Sequence, residues 1–460
     1  MMSTTEDISH SGGLSKKFFK YAFASIGAMW IFSIYTMVDG MFVGKGVGPT
    51  ALAAVNLSMP FINTIFAIAL SIAVGSSTLV TFYLGRNEPE KSNEIFTLNV
   101  IILTILSVTI SFLSLLFLER LAIFLGATEE TLVYVKDYLR MIIIFSTFFI
   151  VGYSLEVLVK ADGFPAYSIL FVTIGGLTNI VLDYLFVIVL SYGVQGAALA
   201  TGLSQLVTCL GFLAHFLSGK SKLKFTKIKI DWSIVKRMFI IGFPDSLTEL
   251  SAGITVFLFN FMILKHIGSN GVAAFGVIMY INNLVLMTMV GINQGMQPLV
   301  SFYNGKKDSG SIEKLIHLAF KVGIVFSIMF LLVCQFFTDQ LVSLFISPDN
   351  VDVYHLSKQG LKIFSYSFIL CGFNIILSGY FTALKQSKKA TLISLLRGLV
   401  AISICIFLLP YIWGSTGIWL SPIGSEIITL GISVWIVLKS KTQSQETGRK
   451  NASLSYLTKY

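Results

Sequence analysis

Long, continuous apolar runs are the feature that most constrains the fold of this chain. Residues 98–118 and 141–159 are two of them, and about 18 apolar residues are enough for a helix to cross a bilayer. The runs are continuous rather than alternating, which favours membrane-spanning helices over a β-barrel. Only 12% of the residues are charged, against about 25% in soluble domains. The sequence therefore predicts an all-α integral membrane protein.

Twelve transmembrane helices are predicted between clusters of Gly, Pro and charged residues. Their predicted ranges are 15–42, 51–83, 94–118, 131–160, 166–190, 196–217, 236–265, 272–303, 314–337, 353–384, 390–411 and 416–439. Most of the 33 Lys and Arg residues fall on one side of the membrane when the N-terminus is placed inside. Because positive residues accumulate in cytoplasmic segments, both termini are expected in the cytoplasm. The first apolar stretch is too long for a cleaved signal peptide.

The second half of the sequence repeats the first. Leu79–Arg86 and Leu299–Lys306 share five of their eight residues, and their positions define the spacing of the repeat. Gly48–Ala54 matches Gly268–Ala274 at the same spacing, and Gly193–Leu199 matches Gly414–Leu420 at a spacing one position longer. Each repeat contains an even number of helices, so both enter the membrane in the same direction. This pattern predicts two pseudo-symmetric six-helix bundles related by an axis along the membrane normal.

The repeat divides the chain into four parts. We expect an N-lobe at 1–217, a basic linker at 218–235, a C-lobe at 236–440 and a cytoplasmic tail at 441–460. The linker contains the densest basic run, Lys220–Lys229, which is expected to lie on anionic membrane lipids. A nucleic-acid partner is not expected despite the net charge of +10, because this run is a short membrane-tethered loop. Duplicated bundles of this kind suit alternating access to a central cavity.

Carboxylates at membrane depth define the candidate site, because such residues are costly unless they are functional. Asp39 and Asp183 are predicted about 7 and 12 Å below the outer end of their helices. Asn179, one turn before Asp183, and Thr201 add oxygens at a similar depth. These oxygens suit Na⁺, with Asp39 and Asp183 as its ligands, or alternatively a carboxylate carries a proton. The structural alternative is that Asp39 caps a helix end and Asp183 bonds a neighbouring helix.

Other embedded charges have several interpretations. Glu156 lies one turn from Lys160, so an i,i+4 ion pair is its plain explanation. Asp245 and Glu249 lie four residues apart and either attract a cationic substrate or a second ion, or Asp245 serves the first turn of its helix. Glu156 belongs with them as a possible substrate or second ion site.

Several chemistries lack their sequence motifs. No GxxxxGK[ST] loop occurs, so ATP binding in the P-loop manner is excluded, and transport would need an ion gradient. No catalytic Ser/His/Asp, HExxH or Cys/His constellation is present, and the four cysteines stand singly in apolar runs without metal-ligand spacing. We therefore expect neither an enzyme nor a cofactor, and no metal site formed by the cysteines.

Arg397 and Glu426 are two further embedded charges that pair in one interpretation.

Several motifs resemble the multidrug and toxic compound extrusion (MATE) transporters. Val38–Gly44, with Gly48–Ala54, is similar to their first hairpin, and Lys160–Pro165 resembles their Arg-x-x-Gly-x-Pro loop with Lys replacing Arg. Two later segments match their fifth and sixth helices: Asn179–Asp183 and Gly193–Thr201. The resemblance covers about residues 14–438. Gly242–Pro244 with Glu249 is most similar to the MepA-like branch.

The resemblance implies a secondary active antiporter that exports cationic, often aromatic, drugs or metabolites against H⁺ or Na⁺. It implies a multi-pass monomer in the plasma (inner) membrane of a prokaryote. The ion site carries over to four positions with one neighbour: Asp39, Asn179, Asp183 and Thr201, with Tyr138 beside them. Glu156 stands where many members have Asn, which leaves the coupling ion and its stoichiometry open. The tenth predicted helix has no carboxylate at 360–384, which favours coupling by the N-lobe.

Two alternatives remain from the sequence. A lipid-linked sugar flippase of the same superfamily would need several Lys or Arg residues in its cavity to hold pyrophosphate. The embedded charges here are mainly acidic, which favours cationic cargo. A polytopic membrane enzyme would need a catalytic cluster near one interface, and the sequence contains none.

Overall fold

The computed structural model describes residues 11–227 and 230–457, which form helices joined by turns. Residues 1–10, 228, 229 and 458–460 lie outside the described residues, so parts of the predicted N-lobe, linker and tail are not described. The helices are α1 (Ser11–Gly46), α2 (Pro49–Gly85), α3 (Pro89–Leu116), α4 (Leu118–Phe124), α5 (Leu132–Ala161), α6 (Pro165–Asp183), α7 (Gly193–Leu217), α8 (Trp232–His266), α9 (Ser269–Gly305), α10 (Ser309–Phe336), α11 (Thr338–Ser343), α12 (Val351–Phe364), α13 (Ser367–Ala383), α14 (Ser387–Leu395) and α15 (Ala401–Leu457). Two π-helical segments, Tyr184–Val189 and Leu396–Val400, continue α6 and α14.

The described ranges contain twelve spans once bent helices are joined or divided at their bends. Ten helices there are long and apolar enough to cross a membrane, and α12 with α13, bent by 50°, forms another span. The last of the ten, Ser387–Lys439, contains two helices that meet at Gly414, whose φ is 57°. The predicted all-α architecture is therefore confirmed.

The backbone repeats as the sequence does. Helices α9, α10 and α11 follow α2, α3 and α4 at the spacing of the sequence repeat, with matching first residues for all three and matching last residues for α9 and α10. The turns repeat their positive φ angles: 120° at Gly48 and 95° at Gly268, 60° at Asn87 and 59° at Lys307, 61° at Gly193 and 57° at Gly414. The two predicted bundles are thus copies of one six-span unit. We call them the N-lobe and the C-lobe.

The two lobes approach most closely at one end, which we call the linker end because it contains the linker. A β-carbon at Gly75 would lie 1.8 Å from the carbonyl oxygen of Met238, and one at Gly85 would lie 2.0 Å from that of Phe302. The pseudo-symmetric glycines make matching contacts: Gly295 with Ala22, and Gly305 with Phe82. Glycine is needed here because any side chain would meet the backbone of the other lobe. We call the opposite end, at the α1–α2 and α8–α9 turns, the far end.

The linker is held to the N-lobe by side chains that accept its backbone N–H groups. Asp162 accepts from Lys222 at 2.8 Å, and Asn93 accepts from Lys224 at 2.9 Å. Thr97 in turn accepts from Thr226 at 3.0 Å. Asp162 is buried and also contacts His215 at 2.8 Å. The described part of the linker is therefore attached to the N-lobe up to Thr226.

Several predicted boundaries were wrong. The helix predicted at 353–384 is bent between Phe364 and Ser367. Helix α8 begins at Trp232, inside the predicted linker, because the Asp231 carboxylate accepts from the N–H of Ser233 and caps it. Helix α15 continues to Leu457, beyond the predicted last span. The drop in hydropathy after that span ends the membrane crossing but does not end the helix.

Candidate functional site

Four predicted residues meet inside the N-lobe, from helices α1, α6 and α7. The carboxyl groups of Asp39 and Asp183 are neighbours that act on each other electrostatically. The Thr201 hydroxyl donates to Asp39 Oδ1 at 3.5 Å, and Asn179 Nδ2 donates to the Thr201 hydroxyl at 3.3 Å. Asp39 lies within α1, which continues to Gly46, so the interpretation of Asp39 as a helix cap was wrong.

Most oxygens of this cluster have no protein donor. Asn179 and Asp183 are fully buried, and Asn179 Oδ1 and both carboxyl oxygens of Asp183 accept no hydrogen bond from the described residues. Buried oxygens without donors are costly unless a cation or a proton satisfies them. No group of three or more His, Cys, Asp or Glu able to hold a metal occurs in the described ranges. The carboxylate, amide and hydroxyl oxygens instead suit a hard monovalent cation or a proton.

Three further side chains surround the cluster. Tyr138 is buried beside the two carboxylates. Gln205 Nε2 donates to the Tyr35 hydroxyl at 3.0 Å, a pair that sequence reasoning missed. Tyr35 precedes Asp39 by one helical turn and Gln205 follows Thr201 by one turn. That spacing was the available signal, because residues four apart share a helix face.

A cavity of about 590 Å³ lies between the two lobes. Asp39, Tyr138 and Thr201 of the N-lobe line it, and so do Asp245 and Glu249 of the C-lobe. Its remaining wall is rich in aromatic and Met side chains: Met29, Phe32, Met59, Phe66, Phe145, Phe149, Phe259, Phe275, Met279 and Met287. Part of the ion-site cluster and the cargo-site candidates therefore face one space, while Asp183 and Asn179 lie behind its wall.

Glu156 also lines the cavity, and it forms the predicted ion pair. Lys160 Nζ lies 3.0 Å from Glu156 Oε1, and the Ser168 hydroxyl donates to the same oxygen at 2.8 Å. Lys160 also donates to Gln294 of the C-lobe at 2.8 Å, and Gln294 donates to the Tyr153 hydroxyl at 3.2 Å. Glu156 is therefore neutralised locally. Gln294 bridges the two lobes, a role with no sequence signal.

The two carboxylates of α8 have different surroundings. Asp245 accepts from Gln297 at 3.3 Å and from Thr382 at 3.4 Å. It lies well inside α8, which begins at Trp232, so the first-turn interpretation was wrong. Glu249 is half-buried. No residue in the described ranges donates a hydrogen bond to it or forms an ion pair with it. Glu249 is consequently available to a cationic group in the cavity.

Arg397 and Glu426 form the second predicted ion pair. Arg397 Nε lies 2.9 Å from Glu426 Oε1, and Asn374 Nδ2 donates to Glu426 Oε2 at 2.6 Å. Arg397 Nη2 contacts Cys371 Sγ at 3.3 Å, and Arg397 lies in the π-helical segment after α14. Both charged groups thus have protein partners on the cavity wall.

Comparisons with known proteins agree in family and fold. The MatE family profile matches residues 24–185 and 247–407. The multidrug export protein MepA of Staphylococcus saprophyticus is 24% identical over 406 residues, which cover 88% of this chain and 89% of that protein. MepA of Staphylococcus haemolyticus is 25% identical over 407 residues, with the same coverage of both chains.

Solved structures share the fold. One, described as the outward-facing conformation of a multidrug resistance MATE family transporter of the MOP superfamily, has a TM-score of 0.89 at 23% identity, and covers 94% of this chain and 97% of that one. A MOP superfamily transporter from Pyrococcus furiosus, whose binding pocket is described as having reverse polarity, has a TM-score of 0.87 at 24% identity. It covers 93% of this chain and 96% of that one.

Proposed function

The chain belongs to the MatE family, and from that premise we propose that it is a secondary active antiporter that exports drug-like organic cations in exchange for H⁺ or Na⁺. One observation carries the proposal: the buried Asp39–Asp183 cluster lacks donors for most of its oxygens, and its Asp39 and Thr201 line the same cavity as Glu249. A coupling ion and a cationic cargo would thus bind in one space. As a MatE family transporter, the protein is not an enzyme.

The coupling ion would bind the N-lobe cluster. Asp39 and Asp183 would supply carboxylate oxygens, Asn179 and Thr201 would supply neutral oxygens, and Tyr138 would close the site on the cavity side. Either Na⁺ or a proton would balance the two neighbouring carboxylates, because an isolated buried charge is unfavourable. The ion is a transported substrate and not a resident cofactor.

The cargo would bind between the aromatic walls. Flat aromatic compounds match the Phe and Met lining, and the carboxylates of Glu249 and Asp245 would attract a positive group. Among the described cavity-lining residues, the basic one is Arg397, which Glu426 already neutralises. This charge distribution favours an organic cation over the pyrophosphate of a lipid-linked sugar.

Transport would follow from a change in which end of the cavity is open. The lobes contact each other through glycine backbones at the linker end, so this conformation is closed there. Ion binding and cargo binding would each favour a different orientation of the lobes, and this difference links the two fluxes.

The proposal includes topology and assembly. Lys and Arg residues concentrate at the linker end, which supports a cytoplasmic location for that end and for both termini. The lobes would comprise residues 1–217 and 232–440, joined by the linker at 218–231, because α8 begins at Trp232. The protein would act as a monomer surrounded by lipid in a prokaryotic inner membrane.

The test is transport by the purified protein in liposomes, with ethidium as cargo and an imposed Na⁺ or proton gradient. We expect ethidium movement against its concentration gradient with one ion gradient and none without it. Gradient-independent movement, or movement of anionic lipid-linked cargo alone, would contradict the proposal. Liposomes without protein are the control.

A further inference from the structure

Two clusters of cations surround equivalent Phe rings of the repeat at the linker end, where the lobes meet. In each, one Phe ring contacts a cation from its own lobe and a cation from the other lobe. Phe302 of the C-lobe lies 4.8 Å from Lys306 Nζ and 5.3 Å from Lys17 Nζ of the N-lobe. Phe82, at the equivalent position of the N-lobe repeat, lies 5.8 Å from its own Arg86. We call each ring, together with the cations around it, the Phe302 cluster and the Phe82 cluster.

The Phe82 cluster also includes a half-buried lysine from the C-lobe. Lys385 Nζ lies 3.0 Å from the centre of the Phe82 ring. Lys385 stands in the turn between α13 and α14, and its burial, together with the charges of Arg237 and Arg86, lowers the pKa of its amine to about 8. Arg86 has an acidic partner, Glu88, at 2.7 Å. This cluster therefore contains part of its own counter-charge.

The Phe302 cluster contains no such partner. The charges of Lys222, Lys306 and Lys20 all act on Lys17, and no carboxylate of the described residues forms an ion pair with any of these four lysines. One neighbouring acid, Asp308, interacts with Lys306, but it also caps α10 by accepting from the backbone N–H and the hydroxyl of Ser311. Four lysines beside one shared acid leave the cluster with an excess of positive charge, so it favours an anion.

The position of the cluster indicates the source of that anion. Lys17 and Lys20 lie near the start of α1, and Lys306 follows the end of α9, which places them at the depth of lipid headgroups. Phe19 and Phe23, on either side of Lys20 in the sequence, are 37% and 54% exposed. Exposed aromatic side chains beside lysines suit the boundary between headgroups and acyl chains.

We propose that the Phe302 cluster binds the phosphate of an anionic phospholipid and thereby holds the two lobes together at the linker end. Lys17 belongs to the N-lobe and Lys306 to the C-lobe, so one phosphate between them attracts both. When the lobes separate there, the phosphate loses one of the two amines. An anionic lipid therefore favours the conformation closed at the linker end. The inference uses the lobe movement of the proposed function and no particular cargo or ion.

The test measures lobe separation without cargo or gradient, so a failed transport assay would leave it valid. The full chain is placed in nanodiscs of phosphatidylcholine, with or without phosphatidylglycerol. Spin labels are attached at Glu90→Cys and Glu313→Cys, two exposed positions at the linker end of different lobes. The native cysteines are buried. We expect phosphatidylglycerol to raise the ratio of closed to open linker ends about tenfold, equivalent to about 1.4 kcal/mol.

Two matched double variants locate the effect. Lys17→Gln with Lys306→Gln should abolish the response to phosphatidylglycerol. Lys16→Gln with Lys314→Gln removes one exposed cation from each lobe at the same surface and should retain it. An equal response in both double variants would overturn the proposal. Sodium phosphate reproducing the shift in phosphatidylcholine would also overturn it, because the anion would then be soluble.

A charge reversal distinguishes a lost site from a damaged fold. Lys17→Glu would place a carboxylate beside Lys306 and supply the missing anion from the protein itself. We expect this variant to be closed at the linker end in phosphatidylcholine alone, and we expect phosphatidylglycerol to cause no further change in the spin-label distance. A Lys17→Glu protein that is more open than the wild type, yet elutes as a folded monomer, would contradict the proposal.

Discussion

The N-lobe and the C-lobe share one helical arrangement but differ in how one pair of buried groups in each is balanced. The N-lobe holds Asp39 and Asp183 together without a basic partner, whereas the C-lobe pairs Glu426 with Arg397 at 2.9 Å. Phe259 occupies the position of the repeat that corresponds to Asp39, where the C-lobe would need an acid to copy the N-lobe cluster. The duplication thus repeats the helical backbone in both lobes, whereas the two neighbouring acids without a basic partner lie in the N-lobe. In the function proposed above, this asymmetry would let one lobe respond to an ion while the other provides a stable wall for cargo.

The largest effect should come from removing the unpaired charge of the N-lobe. We expect Asp183→Asn to reduce gradient-driven ethidium export to the level of empty liposomes, because an amide neither releases a proton nor balances Na⁺. Ethidium binding to the purified variant should persist, since Asp183 is not among the residues that line the cavity. Transport in liposomes and equilibrium binding in detergent measure the two effects.

Asp352→Asn is the matched control for this change. Asp352 is exposed near the start of α12 and should be replaceable without loss of export. Undiminished export by Asp183→Asn at equal protein abundance would mean that the coupling carboxylate lies elsewhere. Glu249 would then be the next residue to test, and the contrast between the lobes would be lost.

The second effect tests whether the C-lobe pair is structural. Arg397→Met leaves Glu426 buried without its partner and should cost about 3–5 kcal/mol. In a chain of this size we expect a decrease of about 5–10 °C in the thermal midpoint of the detergent-purified protein. Scanning fluorimetry provides the measurement.

The double variant Arg397→Met with Glu426→Met sharpens the interpretation. Replacing both charges by apolar side chains should restore most of the stability. If stability is unchanged in the single variant but the ion dependence of ethidium export shifts, the C-lobe pair participates in coupling and the two lobes are more alike than we infer.

The smallest effect concerns the glycine contacts between the lobes, which both lobes make at the linker end. Val in place of Gly75 or Gly295 inserts a side chain against the backbone of the other lobe, where the β-carbon would lie 1.8 Å from Met238 O or 2.7 Å from Ala22 Cα. Each should shift the protein towards an open linker end by about 2 kcal/mol, or about thirtyfold. The spin-label distance described above reports the shift.

Gly253→Val is the control, because a β-carbon there meets no atom within 4 Å. Equal shifts for Gly75 and Gly295 would support a symmetric closure in which both lobes take part. A shift for one glycine alone would show that the closure is as asymmetric as the charge distribution.

The sequence predicted the fold well because both signals are visible in the residue pattern itself and need no knowledge of how the helices pack. Apolar runs mark the spans, and the similarity of Leu79–Arg86 to Leu299–Lys306 marks the duplication. Helical depth was also sufficient to bring Asp39 and Asp183 together, and i,i+4 spacing predicted the Glu156–Lys160 pair. These features depend on rise per residue and on neighbouring turns.

Other features depend on packing between distant segments. Gln294 bridges to Lys160 and Tyr153 of the opposite lobe, and a single amide in an apolar helix carries no indication of that partner. The 50° bend between α12 and α13 likewise has no sequence signal, because neither Gly nor Pro stands at the break. Gly75 is one small residue among many in the sequence, and the backbone of Met238 that it contacts belongs to the other half of the chain.

The attachment of the linker to the N-lobe sets a mechanical limit. Its N–H groups are bonded to Asp162, Asn93 and Thr97 as far as Thr226, and the C-lobe begins with α8 at Trp232. Six peptide units separate Thr226 from Trp232 in the sequence, and a chain of that length spans about 20 Å at most. A wider separation of these two points would break the hydrogen bonds that hold the linker, so the length of this segment limits how far the lobes move apart at this end.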